Sequence, residues 1–123
     1  VGPSFIGVHE MLDPQVDAIR EMTDTIAERI ATLGGTPQGT PKSIVDRRTW
    51  EEYSLGKAFV VEHLGALDKV YSGVNADHRK AIGTLSELDP VSEDMITSQL
   101  GDLEQFQWFV RAHIESSAGK LNH

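Results

Sequence analysis

The stretch that decides the fold is VHEMLDPQVDAIREMTDTIAERI, Val8 to Ile30. Val8, Met11, Leu12, Val16, Ile19, Ile26 and Ile30 recur at spacings of three and four, the period of an α-helix. Leu33 extends the stripe, and Gly34-Gly35 supplies a stop signal, so the predicted helix runs from about Pro3 to Leu33. Pro14 lies inside it and lacks an amide donor. Asp13-Pro14 could equally open a helix as a cap followed by a first-position proline. The apolar stripe keeps its phase across Pro14, which favours a continuous helix bent there.

One edge of that stripe carries His9, Asp13, Asp17, Asp24 and Glu28. At ~100° per residue they share an arc of roughly 100° that borders the apolar face, where they can be half-buried. Acidic residues on a helix usually form its solvated face, and a lone histidine beside an apolar stripe is usually packed and hydrogen-bonded. The other reading is a metal site, since imidazole and carboxylate are ligand types. Distance fixes the form of such a site. His9 and Asp24 lie ~22 Å apart along a helix axis, whereas ligand atoms sit within ~2 Å of a shared ion, taking zinc as a guide. One straight helix cannot close that gap. Two copies crossing antiparallel about a two-fold axis near Asp17 and Ala18 can, placing His9 of one copy against Asp24 and Glu28 of the other, twice over. Asp24 and Glu28 are an i, i+4 pair and project the same way. Imidazole plus carboxylates without thiolate suits iron or manganese better than copper(I) or structural zinc.

The rest of the chain is helical in pattern. GGTPQGTPKS, from Gly34 to Ser43, reads as a loop, with a short helical turn about Ser43 to Arg48. A second long helix is predicted from about Tyr53 to Leu85, its stripe being Phe59, Val60, Leu64, Leu67, Val70, Tyr71 and Val74, weakened slightly by Gly65 and Gly73. Asp89-Pro90 opens a third, running to about Ser116 with Met95, Ile96, Leu100, Leu103, Phe106, Phe109, Val110 and Ile114 on its apolar side. No strand pattern competes. The fold class is all-α, and a bundle buries three such stripes.

Composition narrows the function. The 123 residues suit one domain, 1–123, and 39% are apolar. No apolar run approaches the ~18 residues of a membrane span, no signal peptide is visible, and no cysteine is present; a cytoplasmic protein is expected. The formal net charge of −8 argues against a general nucleic-acid surface and fits a protein that attracts cations.

VGPSFIGVHEMLD followed by DTIAERIATLGG, with RKAIGTL and DLEQFQWFVRAHIES further on, resembles the Dps family, small ferritin-like proteins of starved bacterial cells, over essentially the whole chain. The resemblance implies a four-helix bundle, a hollow shell of twelve identical subunits, and oxidation of iron(II) by hydrogen peroxide or oxygen at two-fold interfaces, with iron(III) mineral stored inside. By motif position, His9, Asp24 and Glu28 match family iron ligands, and Asp13 matches an acidic position close to the metal. A Dps motif continues upstream as His-Trp-Asn just before Val1; that histidine, a further ligand, and the first bundle helix are not in this sequence. The chain therefore reads as an N-terminally incomplete Dps domain, with three of the long helices.

Three other functions compete. Many Dps proteins compact DNA through Lys/Arg-rich tails, but this chain ends SSAGKLNH with one lysine, so DNA contact is expected only through termini outside it. A metal-bound water held by the same residues could hydrolyse an amide or ester. A plain helical bundle needs no chemistry at all. Elsewhere, Glu87, Asp89, Glu93, Asp94, Asp102 and Glu104 stabilise a helix start through its dipole or, by resemblance, line pores. Phe106, Trp108 and Phe109 are expected in core or interface packing, Trp50 as a loop anchor, Asp46 to Arg48 as a surface ion pair, His63, His78 and His113 as non-ligands, and His123 as a disordered terminal residue.

Overall fold

The computed structural model describes residues 5–53, 56 and 58–117; the ends expected at Pro3 and in SSAGKLNH lie partly outside them. Helix α1 spans Phe5–Thr32, α2 Pro41–Arg47, α3 Val60–Leu88 and α4 Pro90–Ser117. The all-α expectation holds, and α1 passes through Pro14 without a break. Its end is set by backbone chemistry. Gly34 adopts φ +90°, and the amides of Gly34 and Gly35 donate to the carbonyls of Ala31 and Ile30 at 3.0 and 2.9 Å. This Schellman closure satisfies carbonyls the helix cannot, and glycine adopts the left-handed conformation without a Cβ penalty. Helix α2 starts two residues earlier than expected, because Thr40 caps it by accepting from the Ser43 amide at 3.2 Å, with Pro41 at its first position.

The second long helix begins at Val60, not Tyr53, and ends at Leu88 rather than Leu85. Tyr53 lies outside it because its hydroxyl is tied back to His63, to Nδ1 at 2.6 Å and to the carbonyl oxygen at 3.2 Å. Trp50 anchors the same connection against Gly73, where an added Cβ would lie 2.7 Å from the Trp50 Cβ. Gly73 is thus the contact that admits the indole, rather than a weak point in a helix. Phe59, expected in the stripe, is the extended N-cap residue and is exposed.

Cross-helix bonds give the topology. Gln15 meets Tyr71, and Phe5 to Leu12 lie along Val60 to Leu67 while Ile19 to Ile26 lie along Val70 to His78, so α1 and α3 run parallel. Arg29 meets Ser92 and Met22 meets Gln99, so α4 runs antiparallel to α1; Asn75 with Gln107 and Asp68 with Arg111 make it antiparallel to α3 too. Parallel α1 and α3 require a connection that travels the bundle's length, which is the work of residues 33–59. By contrast, α3 and α4 are joined through Asp89 alone. Val8, Val60, Leu64, Tyr71, Leu103 and Val110 form the core, with Met11, Leu12, Met22, Leu67, Val74, Phe106 and Ile114 packed on it. Much of the α1 stripe is less covered than its pattern suggests, with Val16, Ile19, Ile30 and Leu33 exposed. Trp108 is 62% exposed and Phe109 38%, which removes them from the core and leaves the interface alternative.

Candidate metal-ligand face

Every expected ligand is on α1. His9, Asp13, Asp17, Asp24 and Glu28 all point to solvent rather than lying half-buried. They sit on the exposed side of α1, and His9 borders a recess that α3 also lines. The structure does not bring them together: among the described residues no three His, Asp or Glu side chains converge on a possible metal position. The reason is the one foreseen, a continuous 28-residue helix that keeps His9 and Asp24 ~22 Å apart.

Among the described residues, the side chains of His9, Asp13, Asp24 and Glu28 enter no hydrogen bond and no ion pair. His9 has one ring neighbour, Phe5, whose ring stacks at 6.2 Å between centroids and 4° between planes. Some other acidic groups are engaged, whereas the side chains of Glu62, Glu93, Asp94 and Asp102, among others, enter no hydrogen bond or ion pair among the described residues either. Asp68 holds Arg111 and Glu104 holds Arg79. Asp46 pairs with Lys42, not with the neighbouring arginines. Asp77 accepts from Thr49. Asp89 bonds Ser92, Arg29 and the Val91 amide, which hold its carboxyl down to about 2. Two of the six pore candidates, Asp89 and Glu104, are therefore already committed within the chain. The free set on α1 consists of donor groups suited to a cation and not satisfied by the protein around them.

Two recesses have walls from both α1 and α3. The first, about 240 Å³, is lined by Phe5, His9, Leu12, Tyr53, Val60 and His63 among others. The second, about 290 Å³, lies between α1 and α3 and includes Ile19, Met22, Tyr71, His78 and Gln99. Burial pushes the Tyr71 phenol up to about 12, so it stays protonated while it donates to Gln15 Oε1 at 2.6 Å. His63, His78 and His113 each have a hydrogen-bond partner on Nδ1, respectively the Tyr53 hydroxyl, the Val74 carbonyl and the Phe109 carbonyl. Periodicity did not reveal the Tyr53–His63 pair, because its two partners lie on different elements.

Two parallel helices joined by a long crossover, with a third antiparallel to both, are the arrangement of a ferritin-like bundle, and the ferritin-like domain profile matches residues 1–118. The relatives are more specific. The DNA protection during starvation protein of Mycolicibacterium smegmatis is 57% identical over 123 residues, all of this chain and 67% of that protein. The fine tangled pili major subunit of Haemophilus ducreyi is 46% identical, over 98% of this chain and 64% of its own length. Among solved structures, Mycobacterium smegmatis Dps superposes with a TM-score of 0.90 at 57% identity, over the whole chain and 76% of that structure. DpsA14 from Streptomyces coelicolor gives 0.90 and 57%, over the whole chain and 73% of that structure. The chain belongs to the ferritin-like family, in its Dps branch.

Proposed function

We propose that this protein oxidises iron(II) and stores the product, at sites shared between two copies of the chain. The supporting observation is the row of unengaged His9, Asp13, Asp24 and Glu28 side chains on one exposed face of α1, in a chain of the Dps branch. Two α1 helices crossing antiparallel near Asp17 and Ala18 would set His9 of one copy beside Asp24 and Glu28 of the other. His9 serves as a neutral nitrogen donor, Asp24 as a terminal carboxylate, Glu28 as a terminal or bridging one, and Asp13 as a nearby acidic group that orients a ligand or a second ion. Iron is substrate here. Two iron(II) ions held side by side give one electron each to hydrogen peroxide, whose O–O bond breaks to leave two waters after uptake of two protons. Delivering both electrons together avoids hydroxyl radical. Oxygen is the other candidate oxidant.

The assembly that such sites require is a shell of identical subunits, twelve by family resemblance, with the formal charge of −8 drawing cations towards it. Protection of DNA, named for the M. smegmatis relative, follows from removing iron(II) and peroxide together. Compaction of DNA would need basic tails outside these residues, and nothing among the described residues calls for the hydrolytic alternative. The direct experiment mixes the full-length protein with iron(II) and peroxide and follows iron(III) absorbance. His9→Ala and Asp24→Ala each slow the reaction; unchanged rates in both would refute the reading. The native mass tests the shell independently.

A further inference from the structure

We propose that Arg20 of each copy grips Asp17 of the other across the two-fold axis, and that this pair of ion bridges sets the register in which His9 meets Asp24 and Glu28. The inference rests on the ferroxidase reading above, and it gives a role to the one acidic residue of the α1 row that iron does not use. Three observations carry it. The first is phase. At ~100° per residue, Arg20 falls only ~20° from His9, inside the arc that holds Asp13, Asp17, Asp24 and Glu28. Arg20 and Asp17 are both exposed. The second is availability. Helix α1 carries two arginines, of which Arg29 is held by Asp89 and Ser92. Arg20 and Asp17 enter no hydrogen bond or ion pair among the described residues. They stand three residues apart, a spacing at which helix neighbours can pair, yet they do not bond each other. The third is shape. A shallow depression of about 620 Å³ on α1 is lined by Pro14, Asp17, Ala18, Arg20, Glu21 and Asp24. It lies at the level where the ligand spacing alone put the axis.

Register chooses the partner. A two-fold interface is self-complementary, so each contact made by one copy is returned by the other. In an antiparallel crossing, facing residues keep a constant sum of residue numbers. His9 with Asp24 or Glu28 gives the same sums as Arg20 with Asp13 or Asp17. The guanidinium thus arrives between two carboxylates of the other copy. Asp13 belongs to the iron site, which leaves Asp17 as the anion to be held. A guanidinium meets a carboxylate through two parallel N–H···O bonds, and a lysine could not reproduce that fork. Without Arg20 the crossing would press two acidic rows together, and like charges facing across an interface oppose it. The arginine pair turns repulsion at the axis into attraction. Arg20 is therefore a positioning residue, acting on iron only through the crossing that it holds.

The test exchanges the charges in full-length protein and reads iron(II) binding under anaerobic conditions, with circular dichroism and native mass beside it. Arg20→Glu and Asp17→Arg should each weaken iron(II) binding by about tenfold or more, because each sets like charges against each other at the axis. Both positions are exposed and unbonded within the chain, so helix content should be unchanged. Local charge alone makes a different forecast. Arg20→Glu adds negative charge beside the site and would then bind iron(II) more tightly, and only Asp17→Arg would bind it less tightly. Loss in both is what the ion bridges require. Combining the two substitutions in one chain swaps the ends of each bridge and should recover most of the binding, a coupling that independent sites do not show. A fall in native mass in either single variant, reversed in the combined one, carries the same meaning. Unchanged or tighter binding in Arg20→Glu, or a combined variant no better than either alone, overturns the bridges and leaves the iron site standing. Unchanged binding in His9→Ala and Asp24→Ala overturns the shared site and the bridges with it.

Discussion

The α3–α4 hairpin and α1 are built from similar amphipathic patterns yet are held very differently. Between α3 and α4 a polar ladder runs through the packing. Asn75 donates to Gln107, whose amide donates to Asp68 and Ser72, and Asp68 also accepts from Arg111. Helix α1 is attached at its two halves by Gln15 with Tyr71 and by Arg29 with Asp89 and Ser92. Between those points the Met22 carbonyl accepts from Gln99, the apolar stripe is partly open, and the side chains of the acidic edge enter no hydrogen bond or ion pair among the described residues. The hairpin ties several of its polar side chains into internal bonds, whereas the His9 to Glu28 edge of α1 ties none among the described residues. Substitutions that disturb only stability should therefore cluster in the first region, and substitutions that disturb only chemistry in the second.

The largest stability effect is expected at Leu64, which is 1% exposed at the centre of the packing. Leu64→Ala should cost about 2–5 kcal/mol through lost burial and the cavity left behind, measured by denaturant unfolding of the full-length protein. A cost below about 1 kcal/mol would mean that the hairpin is not the rigid half, and the comparison would fail. Next is Gly73→Ala. The new Cβ would lie 2.7 Å from the Trp50 Cβ, an atom that cannot swing aside as a side-chain end could. A net loss of about 1–2 kcal/mol is expected, overpacking outweighing the helix propensity that alanine restores. Gly34→Ala, at φ +90°, should cost about 1 kcal/mol by forcing an L side chain into the left-handed region.

These sites mark what the sequence disclosed and what it did not. The three long helices, the Pro14 passage and the Asp89-Pro90 start were legible because apolar period and capping residues are local signals. The true start of α3 was not. Nothing in Tyr53 to Phe59 breaks the helical period, and the alternative is stabilised by distant contacts, Tyr53 with His63 and Trp50 with Gly73. Burial on α1 was over-read for a related reason. An apolar stripe shows that a face seeks cover, but not whether the same chain provides it. The candidate ligands were legible by residue type and spacing, and the structure adds that they lack partners. The polar ladder stayed hidden because Asn75 and Gln107 read as ordinary surface amides until the helices are set side by side.

The junction between the two regions can be probed with pH. The Asp89 carboxyl is lowered from 3.8 to about 2, first by the Ser92 hydroxyl and then by Arg29. A carboxyl with a folded-state value below its unfolded one binds more protons when unfolded, so its stabilisation is fully present above pH ~4 and fades as pH falls towards ~2. Unfolding curves of the unmodified protein and Asp89→Asn should differ by a constant amount near neutrality and converge across that window. A difference independent of pH down to ~2 would mean that the α1 attachment is steric rather than electrostatic.

The smallest stability effect is expected on the acidic edge, where it is the most informative. His9→Ala, Asp24→Ala and Glu28→Ala remove exposed side chains that enter no hydrogen bond or ion pair among the described residues, so each should shift stability by no more than about 0.5 kcal/mol without metal. For Asp24→Ala and Glu28→Ala the direction should be upward, since each removes one negative charge from a chain of net −8 and lowers its self-repulsion. Adding iron(II) under anaerobic conditions should then separate the variants. A ligand that binds only the folded state raises its stability, so the unmodified protein should gain while each variant gains less. A variant that loses stability without metal yet gains as much as the unmodified protein with it would move its residue from the chemical half of the molecule to the structural half. If all three behaved so, the division between α1 and the hairpin would have to be abandoned.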